Sequence, residues 1–550
     1  REPVIQVSQL GYTAKQPKKV VIEQDRNDTK IGEITLYRLG EDGRSKVASG
    51  SGEPWGEFLR YRYFTWDFSE IEAPGLYILE YRGEESHAFR IGDDVFSRHA
   101  WQPTLEYYLP VQMCHMRVNE KYRVWHGLCH HDDALMSPVD TNHFDGYISG
   151  PETLTQFEPL EHVPGLNRGG WHDAGDYDLR VESQMTTVWL LSLMVEEFGL
   201  DHDATSIDQD RQIVEIHQPD GKNDALQQIE HGLLSVLGAY QSMGRQYRGI
   251  IVPTIRQYIL LGDGSTQTDN RVSQNARETG KADDRLVFTE INPTRELNAA
   301  AGLAAASRAL RTYNPKLSRA ALKAAIEIHA QAGESADVSS RAFALAELFL
   351  ATNEPGWLET LVTMEKELAD NIGKTGWAIG RVMPHVQNTR FRDSIAAAVE
   401  AHQADVQRLA AATPYGVPYE PHIWGAGWGI QRFGVSQYLF HKAWPELADF
   451  DVVLDALNFV LGVHPGENTM SFVSGVGANS ALVAYGVNRA DWSFIPGGVI
   501  SGTALIRPDL PELKIWPFFW QQTEYVMGGG ATNFMFLVLA ADALYSGKPD

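Results

Sequence analysis

In the stretch GGWHDAGDYDLR, residues 169–180, two aspartates stand three positions apart, Asp173 and Asp176, among glycines, a tryptophan and a histidine. Two carboxylates so spaced can converge on one water molecule, one taking a proton and the other orienting it, with mutual repulsion tuning both pKa values. The glycines permit close approach of backbone to ligand in a loop that leads into a helix beginning near Val181. Taken alone, a D-x-x-D pattern suits a helix cap or a structural cation equally well. A partner acid separates these readings, and Glu524, in WQQTEYVMGGG, is the candidate. Trp516, Phe518, Phe519 and Trp520 precede it and can wall its carboxyl from water, raising its pKa toward general-acid duty. The alternative is an ordinary glutamate at a helix start.

A second constellation lies upstream. Cys114 is followed by GLCHHDDA, with Cys129, His130 and His131, and then by His143 in TNHFDG. The chain has 2 cysteines. They read as a disulfide or as two buried thiols. An adjacent Cys-His pair with another Cys and His nearby also suits tetrahedral ligation of zinc, although the spacing is no standard finger motif.

These residues need elements to hold them. Residues 1–93 contain short runs rich in β-branched and aromatic side chains, VIQVSQLGY, KKVVIEQ, IGEITLYRL, RYRYFTWDFS, GLYILEYRG and ESHAFRIG, punctuated by Gly, Pro and Asp. The pattern predicts a small β-sandwich. From about residue 97 the texture changes to long apolar segments of helical period, among them SQMTTVWLLSLMVEEFGL, DALQQIEHGLLSVLGAYQSM, TRELNAAAGLAAASRAL, residues 318–331, SRAFALAELFLAT, DSIAAAVEAHQADVQRLAAA and DVVLDALNFVLG. Roughly ten to twelve helices are expected, which makes residues 97–550 an all-α domain. No fixed-period repeat argues for a solenoid.

Composition narrows the partners. Against 71 acidic residues stand 47 basic ones, a net charge of -24 that repels phosphate backbones and anionic lipid heads, so nucleic acid and membrane surfaces are not expected. Aromatics make up 10% of the chain and include 14 Trp, whose flat faces stack well on apolar sugar faces. No apolar run is long enough to span a bilayer and no signal peptide opens the sequence, which reads as a soluble, processed product.

GGWHDAGDYD resembles the aspartate motif of family nine glycoside hydrolases, inverting cellulases built on an (α/α)6 barrel. Further segments follow in the family's order. FTEINPTRELNAAAGLAAAS is similar to its Thr-Glu and alanine-rich helix, TPYGVPY and HIWGAGWG to its active-cleft segment, LNFVLGVHPGENTMSFVSGVGANS to its Leu-Gly and Ser-Phe-Val-Gly run, and TEYVMGGGATNFMFLVLAADAL to its closing Asn-Glu helix. The likeness spans about residues 97–546, and the N-terminal strands resemble the immunoglobulin-like domain that precedes the barrel in one subgroup. It implies an immunoglobulin-like β-sandwich over 1–93 and an (α/α)6 barrel over 97–550. It also implies Asp176 as catalytic base, Asp173 as its partner on the water and Glu524 as general acid. Inversion requires acid and base roughly 6.5–9.5 Å apart to admit that water. The subgroup's structural zinc implies ligands Cys114, Cys129, His130 and His143, a closed set with no open position for chemistry.

The sequence departs from the family in one place. Many members carry a His-His-Arg segment that binds sugar hydroxyls, whereas this chain reads ALVAYGVNRADWSFIPGG. Arg489 keeps the arginine's place and both histidines are missing. Trp424, Trp428 and Trp492 are candidate sugar platforms, with core packing as the alternative. Asp263 and Asp269 in LLGDGSTQTDN sit where calcium can bind, but acidic loops are usually only solvated and calcium is not expected. The leading expectation is an inverting hydrolase of β-1,4-linked glucans or their oligosaccharides, secreted or periplasmic. Behind it stand an exo-acting glycosidase on another β-linked sugar such as glucosamine, a sugar-binding protein on a retired scaffold, and a metalloenzyme with catalytic zinc.

Overall fold

The structure is a computed structural model that describes residues 1–139, 146–151, 154–173, 177–252, 285–333, 335–482, 494–514, 520–523 and 530–545. The chain forms two compact units. Arg1–Tyr107 clusters with Ala401–Tyr485 and the C-terminal residues from Ala490, while the second unit is built on Tyr108–Glu400.

In the first unit the N-terminal strands make two sheets. One has the order Val4–Gln6, Lys19–Asp25, Tyr61–Asp67, Glu53–Phe58, and the other runs Gly11–Tyr12, Phe89–Ile91, Gly75–Tyr81, Glu33–Gly40, Gly43–Ser51. Ile22, Val20 and Phe64 from the first sheet meet Leu36, Leu79 and Phe89 from the second in one core, as period-two alternation requires. Lys19–Asp25 is buried on its other face as well. There Glu23 accepts a hydrogen bond from the Tyr63 hydroxyl at 2.7 Å, and Tyr63 meets the Tyr415 hydroxyl at 3.1 Å, which ties the sandwich to the 401–485 segment of its own unit. Two strands escaped the sequence reading, Gly43–Ser51 and Glu53–Phe58. Both are edge strands of their sheets and largely exposed or half-buried, so no apolar pattern marks them.

The second unit is helical where periodicity predicted it. Val181–Phe198, Asp224–Met243, Pro293–Ala309, Pro315–Ala332 and Val338–Thr352 match the predicted runs within a few residues. Alanine-rich Pro293–Ala309 packs chiefly on the helices Val181–Phe198, Pro315–Ala332 and Val338–Thr352, because small side chains let the axes approach. Among the described residues no helix is long and apolar enough to cross a membrane.

Small sheets break the expected all-helical pattern. One has the order Arg123–His126, Arg117–Glu120, Ile213–Ile216, Thr205–Asp208, and a second Leu135–Met136, Leu286–Phe288, Gly249–Ile251, Leu179–Arg180. Strands of two to four residues are too short to show a period. The second sheet matters for the site. Leu179–Arg180 runs antiparallel to Gly249–Ile251, which runs antiparallel to Leu286–Phe288, so the first and last are parallel and the residues entering them, Tyr177 and Arg285, lie at one end.

Candidate active site

The segment that leads into Asp173, residues 169–173, is pinned by its neighbours. Gly169 and Gly170 both have positive φ, 72° and 85°, and a Cβ on Gly169 would sit 2.3 Å from the His231 carbonyl oxygen of the helix Asp224–Met243. Only glycine allows this approach. The Gly170 amide then donates to that same carbonyl at 2.9 Å, and the Gly170 carbonyl accepts from the Cys114 amide at 2.9 Å. Trp171, fully buried, exchanges two bonds with the Gln184 side chain: its amide donates to Oε1 at 2.9 Å and its carbonyl accepts from Nε2 at 2.8 Å. The His172 amide donates to the Gln112 carbonyl at 2.7 Å, and the Asp173 amide to the Asp178 carbonyl at 2.9 Å. Asp178, also buried, accepts from the Val252 amide at 2.6 Å. Backbone groups buried in this way must be paired, and here the pairing fixes the loop.

Asp173 is 1% exposed. Its carboxylate accepts from the Ser183 hydroxyl on the following helix and is ion-paired with Arg180, whose guanidinium also donates to the Tyr147 hydroxyl. Arg180 was not singled out in the sequence, although a basic residue seven positions after an acidic one was visible there.

Directly behind the loop, Cys114, Cys129, His130 and His172 converge. All four are buried, and their donor atoms lie within 4.8 Å of one another. The thiols approach to 3.8 Å as free cysteines, and Cys114 Sγ lies 3.6 Å from His130 Nδ1. Burial pushes the Cys114 thiol up. Burial also acts upward on Cys129, but its hydrogen bond with Cys114 and the Arg285 charge outweigh that and bring it down. His130 is driven well below the usual imidazole range, by burial first and then by Arg285 and neighbouring histidines, and its buried Nε2 has no hydrogen-bond partner among the described residues. Two sulfurs and two imidazoles held this closely fit a tetrahedral borderline cation. The ring of Tyr177 packs edge-on against both His130 and His172, with centroids 4.8 and 4.7 Å away.

Of the residues singled out in the sequence, the structure brings together Cys114, Cys129 and His130, while Asp173 is held by Arg180 and Ser183. It adds His172, which the sequence reading passed over although it touches Asp173 in the chain. His143, Asp176, Glu524, Arg489, Trp492, Asp263 and Asp269 lie outside the described residues. Trp424 and Trp428, in the other unit, form a tilted pair with ring centroids 6.4 Å apart; Trp424 is 37% exposed, as a surface for a planar ligand must be.

Comparison with known proteins gives these features a context. The profile described as glycosyl hydrolase family 9 matches residues 100–485, and that described as the cellulase N-terminal ig-like domain matches residues 1–86. A xyloglucan-specific endo-beta-1,4-glucanase of Bacteroides ovatus is 28% identical over 200 residues, 35% of this chain and 30% of that protein. Endoglucanase D of Acetivibrio thermocellus is 26% identical over 198 residues, 35% of this chain and 27% of that protein. The chain therefore covers less than a third of the length of these relatives. Among solved structures, a metagenome-derived glycoside hydrolase family 9 endoglucanase superposes with a TM-score of 0.75 at 20% identity, covering 99% of each chain. A zinc-binding triple mutant of another family 9 endoglucanase superposes with a TM-score of 0.74 at 19% identity, over 96% of this chain and 99% of that one. The fold is accordingly an N-terminal immunoglobulin-like β-sandwich followed by a helical domain of the (α/α)6 type.

Proposed function

The chain belongs to glycosyl hydrolase family 9, and from that membership we propose that it is an inverting hydrolase of β-1,4-linked glucans and their oligosaccharides. The observation that carries the reading is the held aspartate segment: residues 169–173 are tied by backbone hydrogen bonds, and the Asp173 carboxylate is buried against Arg180 and Ser183. Such rigidity is what a water-orienting group needs, because small misplacements of reacting atoms cost large factors in rate. The named substrates of the relatives, xyloglucan among them, support the substrate class.

In the mechanism Asp176 removes a proton from a water that Asp173 orients, and the water oxygen attacks the anomeric carbon. Glu524 protonates the glycosidic oxygen as its bond to that carbon breaks. A β-linkage therefore yields an α product, and each carboxyl group recovers its starting state by proton exchange with solvent. Trp424 and Trp428 offer stacking surfaces for glucosyl rings, and Arg489 and Trp492 complete the proposed sugar contacts. We propose a division into a 1–93 sandwich and a 97–550 catalytic domain, which the profile matches over residues 1–86 and 100–485 support, and a secreted or periplasmic location, which a polymeric substrate favours.

The cysteine-histidine group is proposed to hold a structural zinc through Cys114, Cys129, His130 and His172. An ion held by these four residues would cross-link the segments that carry them, a structural and not a chemical contribution.

The test is hydrolysis of β-1,4-glucans followed by proton NMR in the first minutes. The α anomer is expected first. Asp176→Asn should abolish turnover on every substrate, and Glu524→Gln should spare an activated aryl glycoside while slowing natural oligosaccharides by on the order of a hundred- to ten-thousand-fold. A β anomer appearing first would mean a covalent intermediate and would end the water-activation scheme.

A further inference from the structure

Arg285 is fully buried, 171 residues along the chain from Cys114, and its guanidinium has four neighbours. Nε donates to Asp133 Oδ2 at 2.6 Å, in an ion pair whose side chains are both 0% exposed. One terminal nitrogen donates to the Tyr177 carbonyl at 2.7 Å. The other lies 3.4 Å from Cys114 Sγ and 3.4 Å from His115 Nε2. Tyr177 is the residue immediately after Asp176, so one planar cation touches the sulfur of the ligand cluster and the backbone of the aspartate loop at once.

We propose that Arg285 is a positioning residue that couples the Cys114, Cys129, His130 and His172 cluster to the aspartate loop, setting one terminal nitrogen against Cys114 Sγ and holding the Tyr177 carbonyl with the other. Three points support this. A buried guanidinium needs its donors aimed at fixed acceptors, and the fork geometry of arginine fixes the angle between the sulfur and the carbonyl in a way that lysine cannot. Asp133 balances the charge of Arg285 through Nε, which leaves the two terminal nitrogens to reach Tyr177 and Cys114. The parallel relation of Leu179–Arg180 and Leu286–Phe288 places the backbone entering both strands at one sheet end, so the clasp is built into the register. Groups of this kind around metal ligands typically change metal affinity or activity by about 10–100-fold when replaced.

The inference rests on the hydrolase reading, and the experiment separates the two. Wild type, Arg285→Lys, Arg285→Gln and the double variant Asp133→Asn/Arg285→Gln are compared at a temperature where circular dichroism shows each folded. Three readouts are taken: kcat and KM on a β-1,4-glucan, zinc retained against a competing chelator, and hydrogen exchange of the peptide spanning 169–180. Arg285→Lys, which keeps the charge and loses the fork, should retain zinc close to wild type, exchange faster in that peptide, and lose about 10–100-fold in kcat with KM within about twofold. Arg285→Gln should in addition bind zinc about 10–100-fold more weakly. The double variant, which leaves no unpaired buried charge, should repeat the kinetic loss. An inactive wild type removes the hydrolase reading, while faster loop exchange and weaker zinc retention in Arg285→Gln would still uphold the coupling. Unchanged kcat and exchange in folded variants would overturn the proposal, as would failure of all three variants to fold, because Arg285 would then serve the core alone.

Discussion

Two buried ionic centres in the same unit are made from similar parts and finish differently. Around Glu347, 1% exposed, Arg308 donates to one carboxylate oxygen at 2.6 Å, Arg381 pairs with the other, and the Trp189 indole donates at 3.0 Å. Glu196 closes the group by accepting from Arg308 at 2.7 Å and Arg381 at 3.2 Å. Two arginines and two glutamates cancel, and the network is complete in itself. Around Arg285 the pair with Asp133 also cancels, yet two thiols and two imidazoles remain, facing one another within 4.8 Å. A self-neutral network joins the helices Val181–Phe198, Pro293–Ala309 and Val338–Thr352, whereas the converging sulfur and imidazole atoms form a group able to hold a metal ion.

The largest expected effect breaks the comparison at its open side. Cys129→Ser and His172→Asn should each lower zinc content and thermal stability, since structural zinc contributes apparent folding free energy of up to on the order of 10 kcal/mol at neutral pH. His143→Ala should leave zinc content near wild type if His172 is the fourth ligand. Mass spectrometry of metal per chain, with and without chelator, decides the matter. A Cys114 to Cys129 disulfide in the native protein would exclude the metal altogether.

The closed side should respond differently. Glu347→Gln leaves Arg308 and Arg381 short of a buried counter-charge and should cost about 3–5 kcal/mol, with no sensitivity to chelator. Burial acts upward on the Glu347 carboxyl, but Arg381 and Arg308 outweigh it and hold it below the usual range. A depressed folded pKa gives stability that is present above the unfolded value, near pH 4.3, and is lost as pH falls through the folded one. The gap between wild type and variant should therefore be widest at neutral pH and shrink in acid, as measured by urea unfolding from pH 7 to pH 3.

How far the sequence disclosed this arrangement depends on the range of the interaction. The helix after the aspartate loop was legible because Val181–Phe198 keeps an apolar run, and the first residue of that helix was read correctly. The helix Gly427–Ala443 was not, since glycines and aromatics interrupt its pattern. Asp173 and the Cys129-His130 pair announced themselves as local motifs. His172 stood in the same motif and was overshadowed by the aspartates, because a histidine's ligand role depends on what it meets in space. Arg285 carries no local signal at all: it enters a strand of three residues and finds Cys114 only through the sheet.

A third buried carboxylate sharpens the contrast, with the smallest effect. Asp224 opens the helix Asp224–Met243 at 4% exposure and, among the described residues, forms no ion pair to match those of Glu347. Burial raises its pKa to about 7, two backbone amides, Ala204 and Thr205, act downward, and the carboxylates of Asp203 and Asp220 add to the rise. The sign is opposite to that of Glu347. A folded pKa raised above the unfolded value near 3.8 means that the group's contribution is fully present below about pH 3.8 and is lost as pH rises through about 7. The wild type should thus lose on the order of 2–3 kcal/mol relative to Asp224→Asn between pH 4 and pH 8. The variant gives up one acceptor of the two amide bonds, which costs about 1 kcal/mol at every pH, so it should be the less stable protein in acid and the more stable one in mild alkali. Unfolding midpoints across that range should cross. Curves that stay parallel would mean that Asp224 is ionised throughout, and that a cation, or a water-filled approach to it, stands in for the arginines that Glu347 enjoys.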